Sequence, residues 1–270
     1  MPIDTSSYYP EVNGPDEKDK NSLNGRHSSL FGDPKPIDKP EKREIEAPAA
    51  EVAVAKTNKK ASNSSEKVTE IFCSILSWLL VPMLMPVYGI IFIFKLSVLD
   101  MVAPGMQNAF TFIIAGINFF IPALVIILLK NLGVIQDIAL NGRKERLIPY
   151  MVSIICLGTS AWFLGSRGAP VWMCMFFTGG AVAGLVNLII NFKWKISAHS
   201  AGIAGIIALL IRLEKDMNVE PQLFIWLLIT IGAAGLLGSA RIWLQRHTLW
   251  QVIAGYAVGF LSVFFMMAIH

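Results

Sequence analysis

Residues 239–269 read SARIWLQRHTLWQVIAGYAVGFLSVFFMMAI. A short joint with two arginines and a histidine leads into a run, Thr248 to Ile269, that carries no charged side chain. A helix needs about 20 apolar residues to cross the hydrocarbon core of a bilayer, and this run supplies them. The same alternation of polar joint and apolar run extends upstream. It predicts spans at roughly 71–94, 108–130, 148–166, 171–192, 199–213, 222–241 and 248–269. Pro82 and Pro86 predict a kink in the first. The fifth, opening at His199, is short for a crossing and reads as starting below the surface, its N-terminal residues inside the protein. The expected fold is all-α: a polytopic transmembrane helix bundle of about seven spans, six if the short one is not counted.

Composition agrees. The chain has 270 residues, 54% of them apolar and 16% charged, with a mean hydropathy of +0.56. A water-soluble domain carries about 25% charged residues. Residues 1–66 hold 10 of the 23 Lys and Arg and 12 of the 19 Asp and Glu. The other 204 residues share 13 basic and 7 acidic side chains, too few to cover a core in water. Residues 1–66 are rich in Pro, Ser, Asn, Lys and Glu and lack apolar periodicity, so a disordered polar tail is expected, followed by a membrane domain over 67–270. The tail does not begin as a secretory signal. Cys73, Cys156 and Cys174 lie inside apolar runs, without the spacing of a disulfide frame or metal site, and read as packing residues.

Three joints carry the chemistry: 141–149 (NGRKERLIP), 193–202 (KWKISAHSAG) and 239–251 (SARIWLQRHTLWQ). Two crossings separate each from the next, so all three emerge on one side. There His199 and His247 meet Arg143, Lys144, Arg146, Lys193, Lys195, Arg241 and Arg246, with Glu145 as the nearby acid. A phosphate would balance that charge: arginine holds it through paired hydrogen bonds, lysine as a point charge. Ordinary positive-inside bias would also place cations in these loops, and charge alone leaves both readings open.

The order of residues adds to this. Ser197-Ala198-His199 resembles a P-S-G-H motif, with Ile196 and Ala198 in place of Pro and Gly. Arg241, five residues and His247 reproduce the core of S-R-x5-H-x3-D, with Gln251 at the position of the Asp and Ser239 one residue further away. Arg143, Lys144, Arg146 and Pro149 supply the residue types of K-x6-R-P without its spacing. Residues 141–260 thus resemble the type-2 phosphatidic acid phosphatase superfamily. The resemblance implies a phosphohistidine mechanism, with His247 as nucleophile and His199 as the acid that protonates the departing alkoxide. Arg241, Arg146, Lys144 and Arg143 would hold phosphate oxygens, and Ser197 would add a hydrogen bond. Gln251 would stand for the Asp that orients the nucleophile.

Residue chemistry is compatible with these roles. Neutral imidazole attacks phosphorus and imidazolium donates a proton, and positioned cations stabilise the spreading charge. The start of the fifth span would aim free N–H groups at the same anion. No acidic cluster in the sequence suits magnesium, so neither metal nor cofactor is expected. Thr248-Leu-Trp-Gln251 also fits a capping box, which gives Gln251 a purely structural alternative. The expected ligand is a lipid phosphate such as phosphatidate or phosphatidylglycerol phosphate, or a polyprenyl (pyro)phosphate, with membrane lipids as surroundings and nucleic acid not expected. A catalytically weak relative that binds an anionic lipid stays open because Gln251 brings no charge. A transporter would predict internal repeats, and none is convincing. Eight loop cations on the joint side against four on the other (Lys95, Arg167, Arg212, Lys215) point to a cytoplasmic site and N-terminus, in a bacterial cytoplasmic membrane.

Overall fold

The course of the chain in the computed structural model is set by where prolines, glycines and caps interrupt its apolar runs. The structure describes residues 65–135, 144–217 and 221–269, all helix and short joints, with no strand among them. The tail expected over 1–66 lies outside the described residues, except that 65 and 66 already open the first helix.

Helix α1 (65–79) ends where Pro82 forces Val81 into an extended conformation (φ −66°, ψ 141°). After the 3-10 turn Pro82–Leu84 the chain resumes as α2 (Met85–Leu96), so the expected kink is a full break. The Tyr88 hydroxyl spans the break and donates to the Leu79 carbonyl at 2.9 Å. At the far end Ser97 caps the next turn, and Gln107 Nε2 ties down the carbonyls of Asp100 and Val102 at 3.0 and 2.9 Å. Helices α3 (Pro104–Ala115) and α4 (Ile121–Asn131) run on through a π segment, Gly116–Phe120. The buried Asn118 of that segment donates to Ser160 Oγ of α5 (Leu147–Ser166) at 2.7 Å. Helices α6 (Val171–Lys193), α7 (Ala198–Met217), α8 (Pro221–Trp243) and α9 (Leu249–Ala268) complete the bundle.

Six helical segments are long and apolar enough to cross a membrane: 65–96, 104–131, α5, α6, 222–243 and α9. They expose large apolar side chains to the surroundings, Phe112, Trp162, Phe224 and Phe265 among them. The weak fifth run becomes α7, which is 20 residues long and so spans about 30 Å. It is the central helix. Ile203, Ala204, Ile206, Ala208, Leu209, Leu210 and Leu213 are all buried, as in a helix enclosed on every side. Its neighbours are protein, so it does not need the hydropathy of a lipid-facing span.

The tightest seam joins α7 to α9. A Cβ placed on Gly259 would lie 2.6 Å from the carbonyl carbon and 2.7 Å from the Cα of Ala201, so backbone meets backbone there. Small residues of this kind let helices approach closely in membranes. Cys73 and Cys156 are buried, Cys174 is partly buried, and all three are free thiols, in keeping with packing roles.

Candidate functional site

The Arg241-to-His247 spacing is a helix-ending turn. Helix α8 stops at Trp243, and Gln245 takes up a left-handed conformation (φ 54°). The N–H groups of Arg246 and His247 then fold back onto the Arg241 carbonyl at 3.1 and 3.3 Å. Five residues close this loop, which returns His247 to the level of Arg241. Both side chains are buried.

The chain then re-enters the bundle as α9, with Thr248 as its cap and Gln251 in its first turn. Gln251 Oε1 accepts from the Thr248 N–H at 3.3 Å and lies 3.0 Å from His247 Nδ1. The capping and histidine-orienting roles therefore coexist in one amide. Together they determine a proton position. A backbone N–H only donates, so it holds the oxygen end of the amide toward the turn. That oxygen only accepts, so Nδ1 carries the hydrogen and Nε2 keeps its lone pair.

His199 is the second residue of α7, two residues past the cap Ser197. Ser197 Oγ accepts from the Ser200 N–H at 3.3 Å and from Ser200 Oγ at 2.8 Å, and its own hydrogen remains to be donated. The Ser197 N–H donates to the Gln251 carbonyl at 3.2 Å, which pins the start of α7 to the start of α9. The His199 ring reaches the backbone of Ser77, just before the α1–α2 break, and faces Arg241, His247 and Arg146. The break thus shapes the site, a link that sequence spacing did not reveal.

Arg146 enters from the first joint, 141–149. It closes the 3-10 turn Lys144–Arg146, is buried, and donates through Nη1 to the Ile196 carbonyl at 3.3 Å. The structure therefore brings together His199, His247, Arg241, Arg146, Ser197 and Gln251 at one end of the bundle. It adds Lys195, which faces Arg146, Arg241 and Arg246. Arg143 lies outside the described residues, as does the side chain of Lys144.

This crowding sets the electrostatics. Burial, then the nearby Arg146, pushes His247 down to about 3, although the Gln251 bond acts the other way. The imidazole is therefore neutral at ordinary pH. Burial and the three arginines lower the Lys195 ammonium. Arg241 Nε is buried without a hydrogen-bond partner among the described residues. Such a group is costly in isolation and suits an anion that supplies the missing acceptor. Among the described residues no group of three or more His, Cys, Asp or Glu could hold a metal ion.

No curated protein and no solved structure significantly matches the chain. Residues 177–270, which include Ser197, His199, Arg241, His247 and Gln251 but not Arg146, match the family model described as the PAP2 superfamily. With the paired histidines and arginines at one end of an apolar helical bundle, this match over the C-terminal part supports membership of the PAP2 superfamily, the type-2 phosphatidic acid phosphatases, and the six apolar helices fit a multi-pass membrane protein.

Proposed function

We propose that the protein hydrolyses a lipid phosphate or lipid pyrophosphate through a phosphohistidine on His247, without a metal ion. The observation that carries this reading is the Gln251 contact, which leaves Nε2 of a neutral His247 as a free nucleophile among buried cations. Nε2 attacks phosphorus, and the bond to the lipid oxygen breaks as His199 gives that oxygen a proton. Water then attacks the phosphohistidine, losing a proton to His199, and inorganic phosphate leaves. Arg241 and Arg146 hold the nonbridging oxygens, with Lys144 and Arg143 from the same joint as further candidates, and Lys195 adds charge. The Ser197 hydroxyl and the first N–H groups of α7 donate to the same oxygens.

The site is proposed to face the cytoplasm, on the strength of the loop cations, with the N-terminus on that side. The neutral Gln251 favours a second reading, a binding relative with weak turnover, because an amide does not stabilise imidazolium as a carboxylate does.

The test is phosphate release by purified protein from phosphatidate, phosphatidylglycerol phosphate and polyprenyl pyrophosphate, with EDTA present. The expected result is release that disappears in His247→Ala, with an acid-labile phosphoprotein trapped on quenching the wild type. A folded wild type that releases nothing from any lipid refutes the phosphatase reading and leaves the binding one.

A further inference from the structure

The seam between α5 and α6 changes character as it approaches the site. A Cβ on Gly180 would touch Leu157 at 3.4 Å, and one on Gly184 would touch Ile154 at 3.0 Å, which fixes an antiparallel register. Successive residues of a helix step about 100° around its axis. On α6, Asn187 and Asn191 fall on the stripe marked by Gly180 and Gly184. On α5, Tyr150 falls between Leu157 and Ile154. Extending the register by one turn sets Tyr150 level with Asn187, and Arg146 near Asn191. Apolar side chains packed on glycine thus give way to four polar residues, and the last of these is the arginine that reaches the Ile196 carbonyl.

Asn187 is 3% exposed and Tyr150 is 9% exposed; among the described residues Asn187 Oδ1 has no hydrogen-bond partner, and the Tyr150 hydroxyl has only the Arg146 guanidinium, which leaves its own hydrogen to be donated. The Tyr150 hydroxyl stands beside the Arg146 guanidinium. In a membrane interior each such group costs several kcal/mol if left alone. An amide oxygen can only accept. A phenol beside a guanidinium has cation hydrogens pointed at its oxygen, so it is best placed to donate outward. Together they present one acceptor and one donor, which is the complement of a hydroxyl group.

We infer that Tyr150 and Asn187 form a hydroxyl-binding subsite, which selects lipid phosphates with a free hydroxyl within a few bonds of the phosphate ester. The inference rests on the phosphatase reading of the same site and deepens it. The Tyr150 hydroxyl adjoins the phosphate-holding Arg146 guanidinium, so the subsite suits a hydroxyl on the carbon next to the phosphate ester of a glycerol unit. A prenyl phosphate has no such group, and in phosphatidate the adjoining oxygen is esterified.

The decisive comparison uses two probes that differ by one oxygen, 1-acylglycerol 3-phosphate and its 2-deoxy analogue, in mixed micelles. Wild-type kcat/KM should favour the hydroxylated lipid by at least about tenfold. Tyr150→Phe and Asn187→Leu should each bring that ratio toward one. Asn187→Leu should not lower the melting temperature, because Asn187 Oδ1 has no partner among the described residues; Tyr150→Phe also removes the acceptor beside Arg146, so its readout is the kcat/KM ratio. Binding of both probes to His247→Ala protein, measured by native mass spectrometry, separates the two claims. If the wild type hydrolyses neither lipid, the phosphatase reading fails, and the binding preference alone decides the subsite. Equal kcat/KM for the two lipids overturns the subsite. So does equal affinity, or a ratio unchanged in both variants, as expected if ordered water alone fills the space.

Discussion

Gly259→Ala is the most demanding test of the arrangement, because it adds one methyl group where two backbones touch. The new Cβ would lie 2.6 and 2.7 Å from two backbone carbons of Ala201, whereas carbon atoms rest at about 3.5 Å or more. No side chain can rotate away, so α7 and α9 must separate by about 1 Å. The contact lies two residues beyond His199 on α7. On the α9 side it lies eight residues, about 12 Å, beyond the Gln251 that holds His247. Opening this seam therefore widens the gap between the proposed acid and nucleophile. Overpacking of this kind costs about 1–3 kcal/mol, and a misplacement of about 1 Å at reacting groups costs about a hundredfold in rate.

The control is Gly235→Ala in α8, where a Cβ meets nothing within 4 Å. Only the intrinsic helix preference for alanine acts there, so stability should hold or rise by up to about 1 kcal/mol, with activity unchanged. The assay is the melting temperature in detergent, with phosphate release measured well below it so that unfolding does not masquerade as slow chemistry. If Gly259→Ala behaves like Gly235→Ala in both readouts, the α7–α9 seam is not backbone on backbone. The argument that places His199 against His247 then fails with it.

Other perturbations follow from the same geometry. His247 is held at about 3, against about 6.5 for an exposed histidine, so between these values the unfolded chain binds more protons than the folded one. Stability should therefore fall as pH drops through that window, by about 1 kcal/mol per unit near its middle, and His247→Gln should flatten the slope. Nitrogen-15 NMR should find the Nδ1-protonated neutral ring at pH 5, and a ring titrating near 6.5 would contradict this. Gln251→Leu removes both the cap and the histidine contact. It should cost about 1 kcal/mol through the cap and lower phosphate release at least about a hundredfold through the freed ring. Gln251→Asp places an anion against Nδ1, so the His247 pKa rises and the acid limb of the pH–rate profile moves upward; an unmoved limb argues against the contact. Gln245→Gly relieves the left-handed turn at φ 54°, and should stabilise by about 1 kcal/mol in thermal unfolding without altering activity.

Features that depend on neighbours in sequence were legible in it. The spans follow from run length, and the Arg241–His247 spacing is a local turn whose hydrogen bonds require five intervening residues. Gln251 could be assigned two roles because both partners lie within four residues of it. What escaped depends on register between distant helices. Tyr150 and Asn187 look like incidental polar residues in apolar runs until Gly180 and Gly184 align α5 with α6. Ser77 meets His199 only because Pro82 ends α1 at that level.

The weak hydropathy of α7 has the same origin. Hydropathy measures what lipid requires of a helix, and α7 is surrounded by protein. Its first turn can therefore be built from Ser197, His199, Ser200 and Gly202, where polarity and small size suit the proposed anion rather than a bilayer. A short, weak run flanked by stronger ones thus marks an enclosed helix, and a histidine at its start lies where a charged headgroup can be drawn out of water.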